Sequence, residues 1–221
     1  MPKKLALIHT AGFLAPIFTQ MCRDSMPEVD VFNIVDESLI QNTIAANELT
    51  PATARRVAGY IQSAADAGAD AIMVTCSSIG PAVEAARPFV NIPVLRVDQP
   101  MADQAVSMGR RIGVIATLST TLNPTSALIK ARAAAQGREI ELVEHLCEGA
   151  FQAVLAGDSA THDRLVSQGL KTLMAKVDLV VLAQASMARV VDTLPEDEKF
   201  VPILSSPQLG VEAAQQTMQE V

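Results

Sequence analysis

The chain has 221 residues, 49% of them hydrophobic, and a net charge of −7 at pH 7. Its basic residues come only in short pairs such as Lys3-Lys4, Arg55-Arg56 and Arg110-Arg111. Phosphate backbones need more concentrated positive charge than that, so nucleic acid is not an expected partner. Three cysteines, Cys22, Cys76 and Cys147, are too few and too scattered for a disulfide framework or a CxxC metal site, and a reducing cytoplasm is the expected compartment.

The opening MPKKLALIHTAGFLAPIF has a charged start and an apolar run, as a secretory leader would. His9 interrupts that run and the same pattern recurs at 110–118, so it reads as a strand. No apolar stretch approaches the roughly 20 residues of a membrane-spanning helix, and no membrane is expected as a partner. Further buried-strand patterns follow at 29–35, 71–75, 94–97, 112–116, 140–145, 179–183 and 201–204, after a first one at 5–9. Amphipathic segments fill the gaps, and the alternation predicts an α/β fold with parallel sheets. The clearest helix starts at Thr50-Pro51, a capping residue followed by proline in the first helical position, and stops at Gly68. Other helices are expected near 14–23, 80–87, 102–109, 124–136, 160–175, 187–194 and 207–219.

The chain also repeats itself. KKLALIHT at 3–10 returns as RRIGVIAT at 110–117, and ADAIMVTCSS at 69–78 returns at nearly the same offset as VDLVVLAQAS at 177–186. IPVL at 92–95 matches VPIL at 201–204, and VDES at 35–38 falls opposite LCEG at 146–149. Order and spacing agree well enough to predict a duplicated βα domain, two similar halves in one chain. Open α/β sheets bind ligands beyond the carboxyl ends of their strands, so two such halves facing each other would share a cleft.

Strand ends therefore supply the candidate site. Cys76 follows a strand, precedes Ser77 and Ser78, and opens a helix, where unpaired backbone N–H groups should lower its pKa and favour the thiolate. Gln184 holds the equivalent place in the second copy of the repeat and can donate and accept hydrogen bonds to a carboxylate or an enolate-like oxygen. Ser186 is an alternative donor beside it. Thr117, Thr120 and Thr121, with Ser119, form a hydroxyl-rich loop suited to a substrate carboxylate. His9 and Thr10 close the first strand, and His9 could serve either substrate or thiolate or be a satisfied core histidine. Asp36, Glu37, Cys22 and Cys147 read as capping or structural residues. Motifs for nucleotides (GxGxxG, GxxxxGK[ST]), zinc proteases (HExxH) and serine hydrolases (GxSxG) are absent from the sequence, and neither a metal nor a cofactor is expected.

Strand–Cys-Ser-Ser at 71–78, the loop RIGVIATLSTTLNPT at 111–125, strand–AQAS at 179–186 and the two-half repeat together resemble the aspartate/glutamate/hydantoin racemase superfamily. The resemblance covers nearly the whole chain. It implies two pseudo-symmetric Rossmann-like domains, residues 1–98 and 99–206, with a last helix at 207–221 returning to the first, and a cofactor-independent racemase or isomerase of a small carboxylate, amino-acid-like or a hydroxy or keto acid. In that family two cysteines flank the substrate α-carbon, one taking the proton as thiolate and the other returning one. Cys76 holds the first position in a Cys-Ser-Ser variant of the usual Cys-Asn-Thr. Where the second half commonly reads Gly-Cys-Thr, this chain has Ala183-Gln184-Ala185. Single-cysteine relatives such as arylmalonate decarboxylases protonate an enediolate on one face, with the retained cysteine in the second half. A one-thiol lyase and a non-catalytic carboxylate-binding protein thus stand beside the racemase reading. A homo-oligomer is compatible with the sequence and not dictated by it.

Overall fold

The computed structural model describes residues 2–221. It contains two parallel four-stranded sheets, each in its own compact unit. One unit comprises the chain up to Gln99 together with Pro207–Val221; the other is Pro100–Ser206.

In the first unit β1 (Lys4–His9), β2 (Asp30–Val35), β3 (Ala71–Val74) and β4 (Val94–Arg96) lie in the order β2-β1-β3-β4. In the second, β5 (Arg111–Ala116), β6 (Glu141–Leu146), β7 (Leu179–Leu182) and β8 (Ile203–Leu204) lie in the order β6-β5-β7-β8. The repeat persists in the registers: Leu5 pairs with Ala71, and Ile112 with Leu179. It persists in the polar ties as well. Asp70 Oδ2 accepts the N–H of Lys4 at 2.7 Å, and its counterpart Asp178 accepts at Oδ2 those of Arg110 and Arg111 at 2.8 Å.

The inner strands β1, β3, β5 and β7 are buried almost throughout, as expected of parallel strands covered on both faces. Helices do the covering. On the first unit these are α1 (Leu14–Ser25), α2 (Ser38–Ala46), α3 (Pro51–Asp66), α4 (Gly80–Ala86) and, from the chain's far end, α10 (Ser206–Glu220). Between these come α5 (Gln99–Met108), α6 (Ser119–Ala135), α7 (Ala150–Leu155), α8 (Ser159–Met174) and α9 (Ala188–Thr193). The Thr50 hydroxyl accepts the Thr53 N–H and Pro51 opens α3, as its sequence predicts. Its counterpart α8 is capped by Asp158, which accepts the Thr161 N–H at 2.9 Å.

Two helices, α2 and α7, were not expected, and α6 begins at Ser119, well ahead of Pro124. The hydroxyl-rich loop is thus largely the first turns of a helix. Pro124 is the sixth residue of α6 and has no N–H to give the Thr120 carbonyl, a loss outweighed by the helix's buried face, Leu122, Thr125, Ser126, Ile129 and Ala133. Among the described residues no helix is long and apolar enough to cross a membrane.

Cys22 packs among Leu5, Phe18 and Met26, and Cys147 among Ile115, Val166 and Leu170. Burial pushes both thiols from an ordinary 9.0 up to about 11. A folded-state pKa above the unfolded one adds stability that is whole below pH 9 and lost as the pH climbs toward 11. Each group contributes a slope of at most about 1.4 kcal/mol per pH unit. We expect Cys22→Ala to flatten the alkaline decline of stability, whatever constant offset its lost volume brings, in urea unfolding at several pH values from 8 to 11. An unchanged slope would refute the assignment.

Candidate active site

Because β3 lies between β1 and β4, the Thr75 N–H is fixed to the Ile8 carbonyl at 3.0 Å and the Val97 N–H to the Val74 carbonyl at 3.0 Å. The chain leaves the sheet at the next residue. Cys76 is still extended (φ −130°, ψ 117°), and Ser77–Ile79 then make a single 3-10 turn that runs into α4. The Cys76 side chain keeps part of its surface open, whereas Thr10, Ser77 and Ser78 around it are buried.

The sulfur has three hydrogen-bonding neighbours: the Thr10 hydroxyl and the backbone N–H groups of Ser78 and Ile79. Each favours the thiolate, as the helix-start position predicts. They do not prevail. Burial pushes the thiol above its ordinary value, and the carboxylate of Asp98 pushes the same way. The expectation of a lowered pKa is corrected on this point: desolvation costs the thiolate more than these three donors return.

In the second unit the same construction holds an amide. Gln184, extended like Cys76 and likewise followed by a 3-10 turn (Ala185–Met187), accepts at Oε1 the N–H of Thr117 at 2.6 Å and its hydroxyl at 2.9 Å. Thr117 is the counterpart of Thr10 in the repeat, so each unit pairs a threonine at the end of its first strand with the residue at the end of its third. The expected role of Thr117 as a substrate donor changes accordingly, since both its donors serve Gln184. What Gln184 has left to offer is the two N–H groups of its amide. Thr120 and Thr121 are buried in the first turn of α6, and the Thr120 hydroxyl has no hydrogen-bond partner among the described residues. Ser186 is exposed in its turn.

His9 is buried completely. Its Nε2 lies 2.8 Å from Asn33 Oδ1 and its Nδ1 2.7 Å from the Thr75 hydroxyl. The Asn33 amide donates its own N–H to Thr19 at 3.0 Å, which turns Oδ1 toward the ring; Nε2 then carries the proton and Nδ1 accepts from Thr75. Of the two alternatives left open by the sequence, the geometry selects the satisfied core histidine. Burial lowers its pKa, outweighing the Asn33 bond.

Asp36 is tied down too. Its Oδ1 accepts from the Ser38 N–H and hydroxyl, and its Oδ2 from the Tyr60 hydroxyl at 2.6 Å and from Arg56. Burial would raise this carboxyl, but the hydrogen bonds from Ser38 and Tyr60 and the charge of Arg56 hold it below its ordinary value. Glu37 accepts the Gly12 N–H at 2.8 Å and so fixes the turn after β1. The corresponding corner of the second unit is open: His145, Cys147, Glu148, Gln168 and Gly169 line a cavity there.

Sequence reasoning missed one pair. Arg96, the last residue of β4, and Asp98, just beyond it, are both buried and joined by a fork, Nε to Oδ1 at 2.9 Å and Nη2 to Oδ2 at 2.8 Å. Two opposite charges at alternate positions share one face of an extended chain, and that spacing at the end of an apolar strand was the available signal. Among the described residues no group of three or more His, Cys, Asp or Glu could hold a metal ion.

The arrangement matches solved structures over nearly its whole length. A glutamate racemase isoform from Bacillus anthracis superposes with a TM-score of 0.72 at 19% identity, covering 99% of this chain and 82% of that one. Allantoin racemase from Klebsiella pneumoniae gives 0.68 at 16%, covering 99% and 88%. Picrophilus torridus aspartate racemase gives 0.72 at 14%, covering 98% and 94%. No curated protein sequence matches. These likenesses define the class, a two-domain α/β fold of the kind racemases use. Within that class, the family model for Asp/Glu/Hydantoin racemase matches residues 14–214, and the chain belongs to that family. The family is one of racemase-type isomerases.

The His9 geometry makes a direct prediction. Nitrogen-15 NMR of the imidazoles should show His9 as the Nε2–H tautomer, titrating below 6.5. Its pKa is depressed, so the stability it contributes is whole above 6.5 and lost as the pH falls toward the folded value. A His9 signal that titrates above 6.5 would contradict this.

Proposed function

We propose that the chain is a cofactor-independent racemase or isomerase of a small carboxylate, amino-acid-like or a hydroxy or keto acid, with Cys76 as its proton acid/base. The observation that carries this reading is the environment of Cys76: a partly exposed residue at the end of a buried strand, its sulfur met by Thr10, Ser78 and Ile79, in a chain of this family. In this reaction the Cys76 thiolate takes the α-proton and becomes a thiol, the electron pair of the C–H bond passes into an enediolate, and with no second thiol the α-carbon takes its proton back from water on the opposite face. On the same unit, Thr10, Ser77 and Ser78 supply the hydroxyl groups that would meet the substrate carboxylate beside Cys76.

One observation favours a second reading. Gln184 has no proton to exchange, and the Cys76 thiol rests above its ordinary pKa, which suits a donor that protonates one face only, as in a decarboxylating lyase. A non-catalytic carboxylate binder is the remaining reading.

Turnover of a panel of chiral amino, hydroxy and dicarboxylic acids in deuterated water separates the three. A racemase labels the α-carbon of recovered substrate, a decarboxylase labels its product alone, and a binder labels nothing. On an accepted substrate, Cys76→Ala should cost at least about 100-fold in kcat, the usual contribution of an acid/base group; full activity in that variant would end both enzymatic readings. The pH profile gives an independent reading. For a thiolate base kcat/KM climbs through the raised Cys76 pKa, above 9.0, whereas for a neutral thiol donor it falls there.

A further inference from the structure

The buried pair Arg96–Asp98 stands beside Cys76. In the register of β3 and β4, Val74 pairs with Arg96, and the hydrogen bond from Val97 to Val74 carries the two chains onward together. Two residues further along, Asp98 comes level with Cys76, and its charge acts on the sulfur. A bare carboxylate there would oppose every form of Cys76 chemistry that passes through a thiolate. It is not bare, because Arg96 grips both its oxygens, and the two side chains are only 4% and 1% exposed.

The guanidinium also reaches the turn that follows Cys76. A Cβ added to Gly80 would lie 2.3 Å from Arg96 Cζ and Nη2. Gly80 has an ordinary helical φ of −52°, so the backbone there would accept any residue. The missing side chain is therefore room for Arg96. Gly80 directly follows Ser78 and Ile79, whose N–H groups reach the sulfur, so one guanidinium touches both the carboxylate beside Cys76 and the turn that donates to it. Its remaining Nη1 faces Glu84 Oε1 at 3.7 Å. The hydrogen-bonding groups at the sulfur are uncharged, the Thr10 hydroxyl just after β1 and the turn N–H groups, and α2, which packs on that turn, has no charged residue.

We propose that Arg96 and Asp98 are positioning residues for Cys76, a buried charge pair that sets how readily the thiol ionises and holds the 77–80 turn against it through the space left at Gly80. This rests on Cys76 being the reacting group. Arg96 is the part that favours the thiolate, and Asp98 the part that restrains it.

The test reads the thiol without turnover. Full-length protein is alkylated with iodoacetamide from pH 6 to 11, and each cysteine is followed by peptide mass spectrometry, with Cys22 and Cys147 as internal controls. Asp98→Asn should move the Cys76 profile to lower pH, about tenfold faster at pH 7, the size of one pKa unit. Arg96→Met and Gly80→Ala should move it the other way by a similar factor. Arg96→Met strands a buried carboxylate and endangers folding, so Asp98→Asn and Gly80→Ala carry the result, and Cys22 and Cys147 must stay protected in both. Opposite shifts confined to Cys76 support the proposal; an unmoved profile, or shifts in the same direction, overturns it. The proposed function fails separately, through full turnover in Cys76→Ala, and the alkylation result would be unaffected by that.

Discussion

The short strand Ala71–Val74 is the constraint on which the rest of the first unit depends. Each of its four residues is buried, it has a parallel neighbour on either side, and every backbone group it carries must find its partner there. A strand so placed cannot slip by one residue without sending its apolar set to the wrong face and misaligning both ladders. Cys76 inherits that rigidity. It stands at the first position where the backbone is free of the sheet, and its position is fixed by hydrogen bonds made at Thr75 and Val74 on either flank.

Duplication then makes the differences between the units informative. Strand order, register, the aspartate tie to the first strand and the threonine that meets the third strand's end all recur. Against this constant frame the chemistry diverges at the end of the third strand, where a thiol that can exchange a proton stands opposite in the repeat to an amide that cannot. The amide is not idle packing. Its carbonyl holds Thr117 by two hydrogen bonds, whereas Thr10 meets a sulfur that accepts long, weak ones.

Much of this could be read from the residues alone. Buried parallel strands announce themselves as runs of Val, Ile, Leu and Ala, and the repeat disclosed which strand ends correspond. The Thr50-Pro51 start of α3 is a local signal that needs no tertiary partner. Failures occurred where tertiary packing outweighed local chemistry. Pro124 resembled a helix start, yet the buried face of α6 carries the helix back to Ser119. Helices α2 and α7 are short and lie among turn-like sequence, so periodicity had little to act on. The thiol pKa was misjudged for a similar reason. Helix-start donors are visible in sequence, but desolvation belongs to everything packed around the sulfur and is visible only in three dimensions.

The return of α10 to the first unit has a consequence for how the chain is made. Val211, Ala214 and Met218 fill the same core cluster as Leu5, Leu7, Phe18 and Val97, the Met218 carbonyl accepts from Lys3 at 2.7 Å, and Gln215 donates to the Ser25 carbonyl. On a ribosome the first unit therefore emerges with one side of its core uncovered. The second unit is complete in sequence before α10 has been synthesised. The half that is born first is the last that can close, and the apolar side of β1 waits through the synthesis of the whole second unit for the helix that shields it.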